Sequence, residues 1–250
     1  MNKIMNQLIM GLGGLLIAFS VNATTYAPGT SIASDFVLGP STPGKWGSPV
    51  FGTGATVSYS FMDSGLATDG GPSSHLNTFM PAGYLTEIQD AFSAWSKVAD
   101  IKFVQATDPG VGYRAAGADA VDIRIAGHTF DGPNGALAHA FFPPNNGGAA
   151  AGDVHFDTAE TWKVGFGGAG FDIFTVAAHE IGHAIGLGHT NVANSLMNPF
   201  YTENILGPQT DDILGAQFIY GVMPAVPEPS VFFMLSLGLG MIWLRKRAMA

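Results

Sequence analysis

The sequence contains no cysteine. Disulfides are therefore excluded, and stability must come from a packed core and from bound metals. Charge is also scarce: 12% of the 250 residues are charged, with 10 Lys+Arg against 19 Asp+Glu and a net charge of −9. So few basic residues argue against a nucleic-acid partner. No apolar run reaches the roughly 20 residues that a membrane-spanning helix needs, and there is neither an internal repeat nor a sustained heptad. What is plentiful is Gly (34) and Pro (15). That composition at this length suits one loop-rich domain with extensions.

The two ends differ from the middle. Residues 1–23 carry one early lysine, an apolar run and the small-residue site Val21-Asn22-Ala23, the pattern of a secretory signal peptide. Residues 24–54 read as an extended lead-in and 223–250 as a tail. In the tail, Pro227-Glu228-Pro229 precedes an apolar run from Val231 to Leu244 and the basic cluster Arg245-Lys246-Arg247. A basic cluster after the run predicts that this end stays cytoplasmic. The order of these parts resembles the PEP-CTERM sorting signal of Gram-negative bacteria. That resemblance implies exosortase-type sorting machinery and the inner membrane as partners, and delivery to the cell surface or outside. A plain membrane anchor is the alternative, and both readings export the middle of the chain. Residues 24–225 hold six basic against 18 acidic residues, an acidity that cation sites would use.

Within the middle, Ala55–Met62 alternates as a strand, and 101–106, 121–127, 137–142 and 153–156 read as further strands. Leu85, Ile88, Phe92, Trp95 and Val98 fall at helical spacing over 83–99, and 171–187 and 211–221 read as two more helices. The stretch Asp63–Pro81 reads as Gly/Ser-rich loop. The expected class is α+β, a small sheet carried on two long helices with a third helix near the C-terminus.

The densest chemistry lies in AHEIGHAIGLGHT, Ala178–Thr190. His179 and His183 stand four apart, so a helix projects both imidazoles from one face, with Glu180 beside them. A zinc enzyme normally uses three protein ligands and leaves a fourth position open. His189 would lie about 9 Å farther along a continuing helix, so the chain must turn back before it. Gly186 is assigned to that turn, because glycine tolerates positive φ. Gly188 would relax the loop, and Gly182, inside the helix, would permit close packing of a neighbour.

The motif His179-Glu180-x-x-His183-x-x-Gly186-x-x-His189 resembles the metzincin zinc signature. Ser195–Tyr201 looks like the Met-turn of that clan, with Met197 as the apolar floor beneath the zinc ligands. Phe130–Pro144 and Gly152–Trp162 are similar to the ion-binding loops of the matrixin branch, the catalytic domain of matrix metalloproteinases; the resemblance spans roughly Lys45 to Gly221, is least in Asp63–Pro81, and sets the catalytic domain at 55–222. The resemblance implies a small twisted mixed sheet packed on two long helices. It implies a structural calcium held by Asp131, Asp157 and Glu160 side chains and by carbonyls of Gly132, Asn134 and Ala136, donors that suit this cation. Asp122 and Asp153 match a second calcium. His128, His139 and His155 match three ligands of a second, structural zinc, whose aspartate partner is missing because the loop that usually carries it is shortened. Leu137 and Ala138 would pair with an extended substrate, and Pro199–Tyr201 would wall the pocket after the cut bond. The cysteine that silences relatives through their prodomain is absent.

The implied activity is that of an exported zinc endopeptidase acting on protein or peptide, with zinc activating the attacking water and Glu180 as general base. Two other readings stand beside it: a non-catalytic, metal-stabilised surface or matrix protein, and a metzincin that cleaves a non-protein amide. Glu180 separates the second reading from the first, since a purely structural zinc needs no base.

Overall fold

Alternation in ATVSYSF turns Val57 and Tyr59 into the interior and makes Ala55–Phe61 the strand β1. The structure, a computed structural model, describes residues 44–144 and 148–224. The signal-peptide and sorting-tail readings fall outside these residues. None of the described helices is long and apolar enough to cross a membrane.

β1 is followed by α1 (Tyr84–Ser96), β2 (Ile101–Gln105), β3 (Ile123–His128), β4 (Ala138–Ala140) and β5 (Val154–Asp157). β6 (Trp162–Lys163), β7 (Phe171–Asp172), α2 (Ile173–Ala184) and α3 (Thr210–Tyr220) complete the chain order. The main sheet runs β2-β1-β3-β5-β4, and only β4 is antiparallel to its neighbour. β6 and β7 form a separate parallel pair. This is the expected α+β architecture with a mixed sheet. β3 is buried at all six positions, as a strand covered on both faces should be. Its outer cover is the 63–81 segment, which joins the strand through paired hydrogen bonds between Ser74 and Gly127.

α1 buries Ile88, Ala91, Phe92 and Trp95, the i, i+3, i+4, i+7 stripe of an amphipathic helix. Leu85 was expected in that stripe but is 39% exposed; it sits in the first turn, at the stripe's edge. Helix α2 is buried nearly all round. Its Asp172 caps it, accepting hydrogen bonds from Thr175 N at 2.8 Å and Thr175 Oγ1 at 2.7 Å. Trp95 Nε1 donates to Ala178 O at 2.9 Å and ties α1 to α2. The far end of α2 is held from two sides: Trp46 Nε1 donates to Ala184 O at 2.7 Å and Tyr220 Oη to Ile185 O at 2.9 Å. Packing thus extends into the lead-in, where Lys45 and Trp46 are buried.

One ion pair is deep. Arg124, fully buried, donates to Asp108 through Nε and Nη2, both at 2.9 Å, and through Nη2 to Val111 O at 2.7 Å. Burial alone would raise the Asp108 carboxyl, but hydrogen bonds from Arg124, Gly110 and Ser60 bring it below the usual carboxylate range. A depressed folded-state value contributes stability above the unfolded pKa, and that stability is lost as pH falls through the folded one. Asp108→Asn is therefore expected to cost about 1–3 kcal/mol near neutral pH. The gap to the unmodified protein should close below the carboxylate range, which denaturant melts at two pH values would show.

Candidate metal centres

Helix α2 stops where the histidine spacing requires it to stop. Gly186 has φ +113°, its N–H bonds His183 O at 2.9 Å, and Leu187 N bonds Gly182 O at 2.9 Å. This pair of bonds is a Schellman ending with glycine in the left-handed position. A side chain at Gly186 would also meet Gly44 O at 2.3 Å. The returning chain then orients the ligands. His183 Nδ1 lies 2.7 Å from Leu187 O, and His179 Nδ1 lies 2.6 Å from Leu196 O. A carbonyl can only accept, so each Nδ1 carries the proton and each Nε2 presents a lone pair. Those lone pairs converge: His189 Nε2 is 3.2 Å from His179 Nε2 and 3.1 Å from His183 Nε2. Burial pushes His179 down to about 3 and His189 to about 4, and holds His183 well below its ordinary value. Neutral imidazoles aimed at one point repel one another unless a cation sits there. The donor set fits zinc, with three nitrogen ligands and room for one more.

Met197 is 2% exposed and lies against Gly182. A Cβ on Gly182 would lie 2.3 Å from Met197 Sδ and 2.9 Å from Trp95 Cζ2, so Gly182 serves close packing, as expected. Gly188 is not among the glycines with positive φ. Glu180 is buried with both carboxylate oxygens unpartnered, and burial raises its pKa well above the ordinary value.

The sequence reading missed Asp212. Its carboxylate accepts from Ser195 Oγ at 2.6 Å, Leu196 N at 2.9 Å, Met197 N at 3.2 Å and Gln209 N at 2.7 Å. It therefore fixes the turn that carries Met197 and, through Leu196 O, the tautomer of His179. The only local signal was an acid in the first turn of α3.

A second centre lies across the sheet. His128 and His155 come from neighbouring strands β3 and β5, and His139 from β4. His155 is completely buried, and that burial lowers it to about 4. The missing aspartate is supplied after all, which corrects the sequence reading. Asp69 places its carboxylate 3.1 Å from His128 Nε2, 3.1 Å from His139 Nε2 and 2.9 Å from His155 Nδ1. The four donor atoms lie within 4.8 Å of one another. Burial would raise Asp69, but hydrogen bonds to all three histidines hold it far below the carboxylate range. The residue arrives on the hairpin-like 65–73 segment, closed by Gly65 N to Ser73 O, Ser73 N to Leu66 O and Thr68 N to Gly71 O bonds of 2.8, 2.6 and 2.7 Å. Gly70 is needed there, because a Cβ would meet His128 Cε1 at 2.4 Å.

The family model described as matrixin matches residues 74–221, more than half of the chain. The chain belongs to the matrixin family. Among its relatives are karilysin of Tannerella forsythia, 39% identical over 166 residues (63% of this chain, 32% of karilysin), and stromelysin-3 of Xenopus laevis, 40% identical over 148 residues (57% of this chain, 29% of the relative). Human matrix metalloproteinase-27 is 42% identical over 162 residues, covering 58% of this chain and 28% of that protein. The matched part thus spans about a third of the length of these relatives.

In this matrixin the residues expected to bind calcium lie on two segments, 131–136 and 157–160, which hydrogen bonds join. Asp131 accepts from Ala136 N at 3.1 Å, Asp157 from Ala159 N at 2.8 Å, and Glu160 from Gly135 N at 3.1 Å. Burial raises Glu160, and the charges of Asp157 and Asp131 add to the effect. Asp157 Oδ2 is buried without a partner. Gly132 and Asn134 take φ of +91° and +65° in the first segment. Asp122 accepts through Oδ2 from Ser58 N and Oγ at 2.7 and 2.8 Å. Asp153 is buried with Oδ2 unpartnered, and burial raises it well above its ordinary value. β4, which contains Ala138 and follows Leu137, is the outermost strand of its sheet. Tyr201 packs edge-on against Phe171 at 5.2 Å and accepts from Asp172 N at 3.0 Å. Lys163 and Glu203 form an ion pair beside it.

Proposed function

We propose that this matrixin is an exported, zinc-dependent endopeptidase acting on protein or peptide substrates. The observation that carries the reading is a carboxylate with no structural task, Glu180, placed next to three imidazoles whose lone pairs converge. A buried carboxylate without hydrogen bonds is costly. A metal site kept only for stability gives no reason to retain it, and this disfavours the non-catalytic reading.

His179, His183 and His189 would hold the catalytic zinc, which when bound supplies Lewis acidity to the substrate carbonyl and to a water. The remaining steps belong to the chain. Glu180 would accept a proton from the water and deliver one to the leaving amine. The outermost strand, β4, would align an extended substrate near Leu137 and Ala138 as an added strand. Pro199 and Tyr201 would wall the pocket beyond the cut bond, with Tyr201 fixed by Asp172 and Phe171. His128, His139, His155 and Asp69 would hold a structural zinc with a closed four-ligand set.

Calcium would be held by Asp131, Gly132, Asn134, Ala136, Asp157 and Glu160, with Asp122 and Asp153 contributing to a second site. For the first of these, Asp157→Ala is expected to abolish the rise in melting temperature on adding calcium. An unchanged rise would remove the assignment. Residues 1–23 would direct export. The tail would engage sorting machinery at the inner membrane, leaving the protease domain at the cell surface or outside.

The test is cleavage of an unstructured protein by the purified chain. Turnover should vanish on chelation and return with zinc. A preparation shown to contain zinc at full occupancy and still unable to cleave would overturn the reading.

A further inference from the structure

Apolar side chains stand exposed where the described chain ends. Val222 is 66% exposed and Met223 40%, and Val50, two residues before the Gly52 that bonds Ile219, is 59% exposed. Backbone bonds hold the segments together: Gly52 N to Ile219 O and Asp100 N to Gly221 O, both 3.0 Å. Gln217 Nε2 adds a bond to Val98 O at 2.8 Å. Phe51 and Phe218 meet within the same region, ring centroids 5.3 Å apart. Two exposed lysines flank it, Lys97 at the end of α1 and Lys102 on β2, and neither is in an ion pair among the described residues. In a domain this short of basic residues their placement is informative. Lys45 and Arg124 are buried and Lys163 is paired, so two of the three remaining cations border this one apolar face. Asp100, the acid next to them, lies only half exposed against Gly54.

The tail sets the distance. From Pro224 to Val231, where the apolar run of the tail begins, there are seven residue steps. At about 3.5 Å per step they span at most about 25 Å. If that run enters a bilayer, the exit face can never leave the lipid surface by more than this length. A short tether raises the effective concentration of a weak contact to the millimolar range. Apolar side chains bordered by lysines are what an interfacial contact with anionic headgroups requires. The sheet order supplies an independent reason. β2 is the edge of the sheet opposite β4, four strand spacings or about 19 Å away. Lipid at the β2 side therefore stays clear of the β4 edge and of the centre beside it.

We propose that the face formed by Val50, Val222 and Met223 and flanked by Lys97 and Lys102 docks on the anionic bilayer that carries the tail, orienting the domain with its β4 edge away from the membrane. The inference rests on the reading of the tail as membrane-inserting. Because the chain has no cysteine, single labels report cleanly. The full chain would be reconstituted into phosphatidylethanolamine vesicles with about a third phosphatidylglycerol, with an environment-sensitive fluorophore on Val222→Cys or, as control, on Asp119→Cys. Quenching by brominated lipid should be at least two-fold stronger at 222 than at 119. It should fall to the control level in the Lys97→Glu/Lys102→Glu background. Equal quenching at both sites in a chain that floats with the vesicles would overturn the docking face alone. A chain that does not float removes the tail reading and the face with it. Protection at 222 that ignores lipid charge but rises with protein density would assign the face to a second copy instead.

Discussion

Glu180→Ala is expected to lower turnover by about 10²–10⁴-fold, the usual contribution of a positioned general base, while leaving zinc content and melting temperature at or above their starting values. Stability should not fall, because Glu180 makes no hydrogen bond that the substitution could break. Removing an unpartnered buried carboxylate relieves a desolvation penalty instead. The ligands should also be undisturbed, since His179 and His183 take their orientation from Leu196 O and Leu187 O. Glu180→Gln is the companion variant: it keeps the volume, loses the proton acceptor, and should be as slow as the alanine form. The decisive comparison is turnover against bound zinc in one preparation. A variant that cleaves at the original rate removes Glu180 from the reaction. One that loses zinc shows that the carboxylate was holding the site together.

Much of the first centre was legible because its information is local. The spacing of His179 and His183 needs only the period of a helix, and the position of His189 then demands a reversal that Gly186 performs at φ +113°. The packing role of Gly182 followed from glycine being costly in a helix unless something approaches closely; what approaches is Met197 and Trp95. The strands at 55–61, 123–128 and 154–157 were visible in the same way, from alternation and β-branched content.

The features that escaped detection depend on contacts distant in sequence. Asp212 acts on the Met197 turn from another element, and nothing in TDDILG distinguishes it from an ordinary first-turn acid. The burial of Lys45 and Trp46 depends on Tyr220 and on the end of α2, more than a hundred residues away. Asp69 lies in the segment of weakest family likeness, ahead of the matched span that begins at residue 74. Its three partners are strung over residues 128–155. A shortened loop after β3 was read as the loss of a ligand, whereas the geometry returns the same donor type from a different hairpin. In that case chemistry constrained the site more tightly than sequence position did.

Asp69→Ala is accordingly expected to weaken zinc binding at the second centre by more than 100-fold. Outer-shell partners of metal ligands alone are worth 10–100-fold, and Asp69 is placed to bind directly. It also brings the single negative charge of the set and touches all three histidines. With the carboxylate gone, three neutral imidazoles would face one another with only water to complete the shell, and the 65–73 hairpin would lose its bond to the sheet. Zinc per chain should fall from two to one after dialysis against a mild chelator, while cleavage per remaining zinc stays near its starting value, because His179 and His183 lie on α2 and His189 on the segment that follows it. Amide exchange should rise at residues 65–73 and at His128 and remain unchanged in α2. Asp69→Glu offers a further check, since it restores the charge at a longer reach and should recover part of the affinity. Two zincs retained by Asp69→Ala, with exchange at the hairpin unaltered, would show that the histidines suffice and that Asp69 merely rests against them.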